Sequence, residues 1–110
     1  MAVDFTLQSN VPQAKTELEQ KMLQGLETIG LVAEGYAKRL CPVDTGRLRN
    51  SITHAVEESE HSAYIGSNVE YAPYVELGTS RQKAQPYLKP AAENHAKEYG
   101  DIMFNILMLS

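Results

Sequence analysis

Apolar and polar positions follow two different rhythms along this chain. Val3, Phe5 and Leu7 alternate with Asp4, Thr6 and Gln8, a period of two that predicts a short strand. From Leu18 onward the spacing becomes three and four. Leu18, Met22, Leu26, Ile29, Ala33, Tyr36 and Leu40 make one apolar stripe, with Lys15, Glu19, Lys21, Glu27 and Lys38 largely off it. The pattern predicts a long helix from about Val11 to Leu40. Asn10 offers an N-cap oxygen, Pro12 falls in the first turn where a missing N–H costs nothing, and Gln13 is placed to close a capping box. Gly25, Gly30 and Gly35 oppose the helix at roughly 1 kcal/mol each relative to alanine. Close packing against another backbone is the usual reason to keep them. Pro42 ends the helix and pushes Cys41 toward extended backbone.

After this corner, Ile52 to Val56 and Ala63 to Ser67 read as two strands joined by the polar link Glu57–His61, with one helical turn at Arg47 to Asn50. Leu48, Ile52 and Val56 are spaced by four, but β-branched Ile52 and Thr53 favour strand from Ser51 onward. Tyr71 to Leu77 reads as a short helix closed by Gly78, a residue able to take a left-handed cap. Thr79 to Gln85 is a polar, basic loop of a length at which loops are often functional. Pro86 and Pro90 bracket the entry to a last helix, about Lys89 to Met108, whose stripe is Leu88, Ala92, His95, Tyr99, Ile102, Ile106 and Leu109. The expected fold is α+β, in the order β-α-β-β-(short α)-α. A small antiparallel sheet is packed by one long N-terminal and one C-terminal helix.

At 110 residues the chain is expected to form a single domain, residues 1–110. Hydrophobic content of 43% with 22% charged residues is ordinary globular composition. A formal net charge of -4 argues against a general nucleic-acid-binding module. A single cysteine excludes an internal disulfide framework and fits a reducing cytosol. The N-terminus has no signal-peptide pattern, and the run IMFNILMLS is far short of the roughly 20 residues that cross a bilayer.

Candidate chemistry is sparse. Asp44-Thr45-Gly46 matches the nucleophile triplet of aspartic proteases. It also reads as a turn, with Asp and Thr capping the next segment and Gly supplying positive φ. The turn reading is favoured because flanking apolar strands are missing and a single triplet requires a homodimer. His54, His61 and His95 have no i, i+4 pair. His54 and His61 are able to face each other across a hairpin with Glu60 as a third ligand, but surface and half-buried histidines are the ordinary case. Cys41 follows a helix C-terminus, which raises a thiol pKa. No glycine spacing fits a phosphate loop. Catalytic, cofactor-binding and metal residues are therefore all assigned as none. Arg47, Arg49, Arg81 and Lys83 cluster in two loops of an acidic chain, and Tyr64, Tyr71, Tyr74 and Tyr87 fall in the same middle third. Solvated loop charge is one reading. Others are an interface to an acidic neighbour, for which Arg47, Arg49, Tyr74, Arg81, Lys83 and Tyr87 are the candidates, and a DNA phosphate site; tyrosines are also common in the core rim of a small domain. Pro42, Asp44, Thr45, Gly46, Gly78 and Pro86 are the expected structural turn residues.

Three stretches, PVDTGRLRNSI (42–52), YAPYVELGT (71–79) and QPYLKPA (85–91), occur in this order with a helix before and after. Together they resemble the small minor tail, tail-completion or head–tail joining proteins of long-tailed bacteriophages and prophages, the family typified by coliphage HK97. The resemblance implies a non-enzymatic virion protein of the neck or head-proximal tail, assembled in the host cytoplasm without a membrane or a cofactor. It implies rings, commonly six-fold, that contact connector and tail-tube proteins and pass DNA as cargo. A ring needs two different patches per subunit. The loop around Arg81 and Lys83 is one candidate, and an acidic helix face around Glu17, Glu19 and Glu27 the other. A negative net charge suits a channel through which DNA slides.

Overall fold

A computed structural model describes residues 12–42 and 46–109. Helix α1 (Pro12–Leu40) is followed by a one-turn α2 (Arg47–Ser51) and the strands β1 (Thr53–Glu57) and β2 (Ser62–Gly66). Three helices complete the order: α3 (Ala72–Leu77), α4 (Leu88–Glu93) and α5 (Ala96–Leu109). The fold is α+β, as the sequence predicts. The strand expected at Val3–Leu7 and the cap at Asn10 lie outside the described residues, as do Asp44 and Thr45.

β1 and β2 pair antiparallel with Thr53 opposite Gly66 and Glu57 opposite Ser62. Along β1 burial alternates, so His54 and Val56 face α1 while Thr53, Ala55 and Glu57 face water. The turn between the strands closes with the His61 N–H donating to Glu58 O at 3.2 Å, and His61 adopts φ 53°. A two-stranded sheet is marginal by itself. Here it lies along one side of α1, and α5 lies antiparallel along another.

α1 carries two notches that admit these neighbours. A Cβ at Gly30 would sit 2.8 Å from the His54 ring, and one at Gly25 would sit 2.5 Å from Met103 Sδ of α5. The close partners are side chains, not the backbone expected from the sequence. Gly35 has nothing within 4 Å. The buried stripe of α1 is Leu26, Ala33, Ala37 and Cys41. Leu18 and Leu40, expected on it, are 56% and 47% exposed.

The single last helix read from the sequence is two helices, broken at Asn94–His95. The break has a local cause. The Tyr99 hydroxyl donates to Ala91 O at 2.5 Å, the carbonyl that a continuous helix would give to the His95 N–H. A side chain inserted into the ladder in this way kinks a helix. His95, turned out of the helix path, stacks on Tyr36 of α1 with ring centroids 3.6 Å apart, and the Tyr36 hydroxyl donates to Glu98 Oε1 at 2.5 Å. The shift also moves the core contact from Ala92 to Ala91, which is fully buried.

The core sits at one end, around the last turn of α1. Ala37, Cys41, Leu48, Ile52, Val69, Ala72, Tyr87 and Ala91 form it. Away from this end the molecule is thin, with extents of 59 × 29 × 19 Å. Its radius of gyration is 17.5 Å, against about 13 Å for a compact chain of this length. The described residues therefore leave large apolar side chains uncovered, among them Leu31, Phe104 and Met108, and no residue of α5 is fully buried. No helix among them is long and apolar enough to cross a membrane.

Candidate functional site

The three sequence stretches meet at the core end of α1, and each contributes inward and outward residues. In the first, Pro42 follows the end of α1 and Gly46 takes φ 81° and ψ -9°, the left-handed conformation expected of the corner. α2 then buries Leu48, and the chain leaves through buried Ile52. The Ser51 hydroxyl donates to Leu48 O at 2.6 Å. The Ser67 hydroxyl donates to Ser51 Oγ at 2.5 Å and accepts the Val69 N–H at 3.1 Å, which ties α2 to the end of β2.

Arg47 reaches the second stretch. Its guanidinium forks onto Glu70, with Nη1–Oε1 3.0 Å and Nη2–Oε2 3.3 Å, and lies 5.4 Å from the Tyr71 ring centroid. The pairing holds the Glu70 carboxyl below its ordinary pKa. Arg47 is thus engaged within its own subunit while 57% of its side chain stays exposed.

α3 joins the second stretch to the third. Ala72, Val75 and Glu76, spaced as i, i+3, i+4, form its inner face, and Tyr74 and Leu77 form its outer face. Glu76 Oε1 accepts the N–H groups of Tyr87 at 3.1 Å and Leu88 at 2.8 Å, and Oε2 accepts that of Lys89 at 3.0 Å. Residue 90 is proline and has no N–H. One carboxylate from α3 therefore satisfies every backbone donor that opens α4, a helix whose own N-cap residue supplies no side-chain bond. Tyr87, 0% exposed, fills the space beneath, with its hydroxyl 3.5 Å from Ala72 O. Burial pushes that hydroxyl's pKa up to about 12. Of the interface and core readings open to it from the sequence, Tyr87 takes the core one.

Gly78 ends α3 at φ 80°, ψ 171°. This is not the left-handed cap expected but an extended positive-φ conformation that essentially only glycine adopts. A Cβ there would meet Ala84 N at 2.8 Å and Gln82 O at 3.1 Å. The loop that follows is held by Thr79, whose Oγ1 accepts the N–H groups of Arg81 at 3.1 Å and Gln82 at 3.0 Å. The Gln85 N–H returns to Val75 O at 2.8 Å. Pro86, between this loop and Tyr87, is exposed.

The outward residues collect beside this loop. Tyr74 is 59% and Leu77 77% exposed. Arg81 and Lys83 are exposed and make no ion pair among the described residues, and Lys83 borders a small hollow with Pro42 and Val75. Arg49 is exposed on α2. Of the six interface candidates, then, Tyr74 on α3 and Arg81 and Lys83 in the loop after it are exposed, Arg49 is exposed on α2, Arg47 is tied to Glu70, and Tyr87 is buried.

The remaining chemistry is internal. His54 lies between two carboxylates of α1, with Nδ1 2.6 Å from Glu34 Oε1 and Nε2 2.5 Å from Glu27 Oε2. His61 Nε2 lies 3.4 Å from Glu19 Oε2. The two histidines face α1, not each other, and among the described residues no group of three ligands is placed to hold a metal. The expected acidic face of α1 is thus engaged by the hairpin at Glu19 and Glu27, while Glu17 is exposed. Cys41 is buried, and burial raises its pKa. Glu70 and Glu76 were missed by sequence reasoning. For Glu76 the available signal was a carboxylate on the inner face of a short apolar helix, upstream of a proline-flanked helix start; Glu70, exposed before α3, offered none.

Comparisons with curated proteins and with solved structures give no match. The family described as "Bacteriophage HK97-gp10, putative tail-component" matches residues 5–78, which takes in the first stretch and the second up to Gly78. The Glu76 carboxylate carries the same arrangement on into the third. By that match, covering two thirds of its length, the chain belongs to the HK97-gp10-like family of bacteriophage tail components.

Proposed function

We propose that the chain is a non-enzymatic structural subunit of the phage neck or head-proximal tail, acting in tail completion or head–tail joining. It works by ring-forming self-association and by contacts to connector and tail-tube proteins, with DNA only as passing cargo. The observation that carries this reading is the division of roles within the three stretches. Their inner residues, Leu48, Ile52, Ala72, Tyr87 and Ala91, make one packed junction. Their outer residues and the adjoining loop, Tyr74, Leu77, Arg81 and Lys83, present apolar and cationic surface, in which Tyr74 and Arg81 are of the types enriched at interface hot spots. The one thiol is buried and its pKa is raised, which suits a packing role better than a nucleophilic one.

The test is a deletion of the gene in the phage or prophage, followed by electron microscopy of the particles. Unjoined heads and incomplete tails, rescued by the gene in trans, are the expected result. Complete infectious virions without the protein would overturn the reading. The exposed cations Arg49, Arg81 and Lys83 support a second reading, binding to nucleic-acid phosphate. It predicts affinity that falls steeply with salt, and no retention of duplex or single strands at low salt would remove it.

A further inference from the structure

Two uncompensated charge clusters of opposite sign lie at opposite ends of α1. The β1–β2 turn carries Glu57, Glu58 and Glu60, all exposed and none paired with a cation among the described residues. This tip lies beside the early part of α1 through the His61–Glu19 contact at 3.4 Å. The loop after α3 carries Arg81 and Lys83 and lies by Pro42, beyond the far end of the same helix. Some 30 Å of helix separate Glu19 from Leu40 at about 1.5 Å per residue. No pairing between the clusters is possible inside one subunit.

We propose that a second copy of this chain docks head to tail on the first, the glutamate-rich hairpin tip of one subunit seating against the basic loop and outer α3 face of the next. The proposal rests on the self-association in the function proposed above and assigns its two surfaces. It replaces the acidic face of α1, already engaged by His54 and His61, with the hairpin tip.

Each surface pairs its charge with an exposed ring. On the sheet's outer face Tyr64, 55% exposed, donates its hydroxyl to Glu60 Oε1 at 2.5 Å, beside the carboxylates. On α3, Tyr74 and Leu77 are exposed just before the loop that carries the cations. An aromatic anchor ringed by complementary charge gives both contact area and register. The tip is also held in place before any contact forms. His61, at φ 53°, clips it to α1, and Tyr64 fixes Glu60. Prior ordering lowers the entropy lost on docking. Three carboxylates on one turn repel one another in the lone subunit, and a cationic neighbour relieves that repulsion. Because the surfaces differ and sit at opposite ends, each contact leaves both ends of the growing assembly open, which is what a ring or filament requires.

Sedimentation velocity over a concentration range, at about 20 mM and about 500 mM salt, reads the association. The paired reversals are Arg81→Glu with Lys83→Glu, and Glu57→Lys with Glu58→Lys. All four side chains are exposed, and circular dichroism checks that each variant keeps the fold. The wild type should associate, and more weakly at high salt. Each variant alone should associate at least ~10-fold more weakly. A mixture of the two variants should regain association, since the acidic tip of one then meets the basic loop of the other. Wild type that stays monomeric at about 1 mM and low salt would overturn the proposal. So would reversals that leave association unchanged, although self-association itself would then stand. Duplex DNA retained by the wild type and released by the loop reversal, with association unaffected, would assign the loop to phosphate and also overturn it. Failure of the tail function shows separately, as complete virions in the deletion.

Discussion

Glu76 should be the most stability-sensitive charged residue in the chain. It accepts three backbone N–H groups that have no other partner, two on Oε1 in a partly buried setting and one on Oε2 at the surface. A hydrogen bond to a charged acceptor contributes about 1.5–3 kcal/mol when shielded and less where water competes. Taking about 1 kcal/mol for each of the two inner bonds and less for the Lys89 bond, Glu76→Ala should cost about 2–3 kcal/mol. Glu76→Gln keeps one oxygen, enough for Tyr87 and Leu88, and turns an amide N–H₂ toward the Lys89 N–H. It should cost about 1 kcal/mol. Urea unfolding followed by circular dichroism reads both values, with an unchanged m confirming that the whole domain is reporting. Amide exchange at Leu88 and Lys89 gives a local check, because water reaches these groups first when the acceptor is lost. A cost below about 0.5 kcal/mol for Glu76→Ala would refute the claim that this carboxylate joins α3 to α4.

Three further expectations follow from the packing. His54 is only 13% exposed between Glu34 and Glu27, and its bonds to these carboxylates raise its pKa, while His54 and then Lys38 lower that of Glu34. The imidazolium's contribution is complete below the ordinary histidine value of about 6.5 and is lost as pH rises through the folded value. The Glu34 contribution is complete above the ordinary carboxyl value of about 4.5 and is lost as pH falls. A urea-midpoint profile should therefore be highest between these limits, and His54→Gln should flatten its alkaline side. An alkaline side identical to wild type in that variant would show that the clamp does not hold the hairpin. Gly78→Ala combines a positive-φ backbone with a 2.8 Å contact to Ala84 N. It should cost at least about 2 kcal/mol by thermal unfolding, and a silent change would mean that the loop repacks freely. Gly35 has open space around it, so Gly35→Ala should stabilise α1 by up to about 1 kcal/mol, and a lowered midpoint would point to a contact the helix surface does not reveal.

The elements themselves were legible because they depend on neighbours in sequence. Helical spacing located α1, β-branched residues around a polar link located β1 and β2, and Gly78 marked the end of α3, each to within a residue or two, while Pro42 and Gly46 marked the corner, since backbone restriction acts locally. The family match over residues 5–78 takes in the first stretch and the second up to Gly78, while the third lies beyond it. What they do was decided by tertiary structure. Arg47 read as an interface cation until Glu70, 23 residues away, was found to take it. Tyr87 was open between interface and core, and its burial between α3 and α4 decides for core. Gly25 and Gly30 predict close packing against a backbone, but the side chains of Met103 and His54 take that place. The last helix read as continuous because its stripe is continuous, and only the Tyr99 hydroxyl on Ala91 O breaks it. Spacing in sequence reports what a segment buries, whereas the partner of a buried or charged group is set by which distant elements the chain brings alongside.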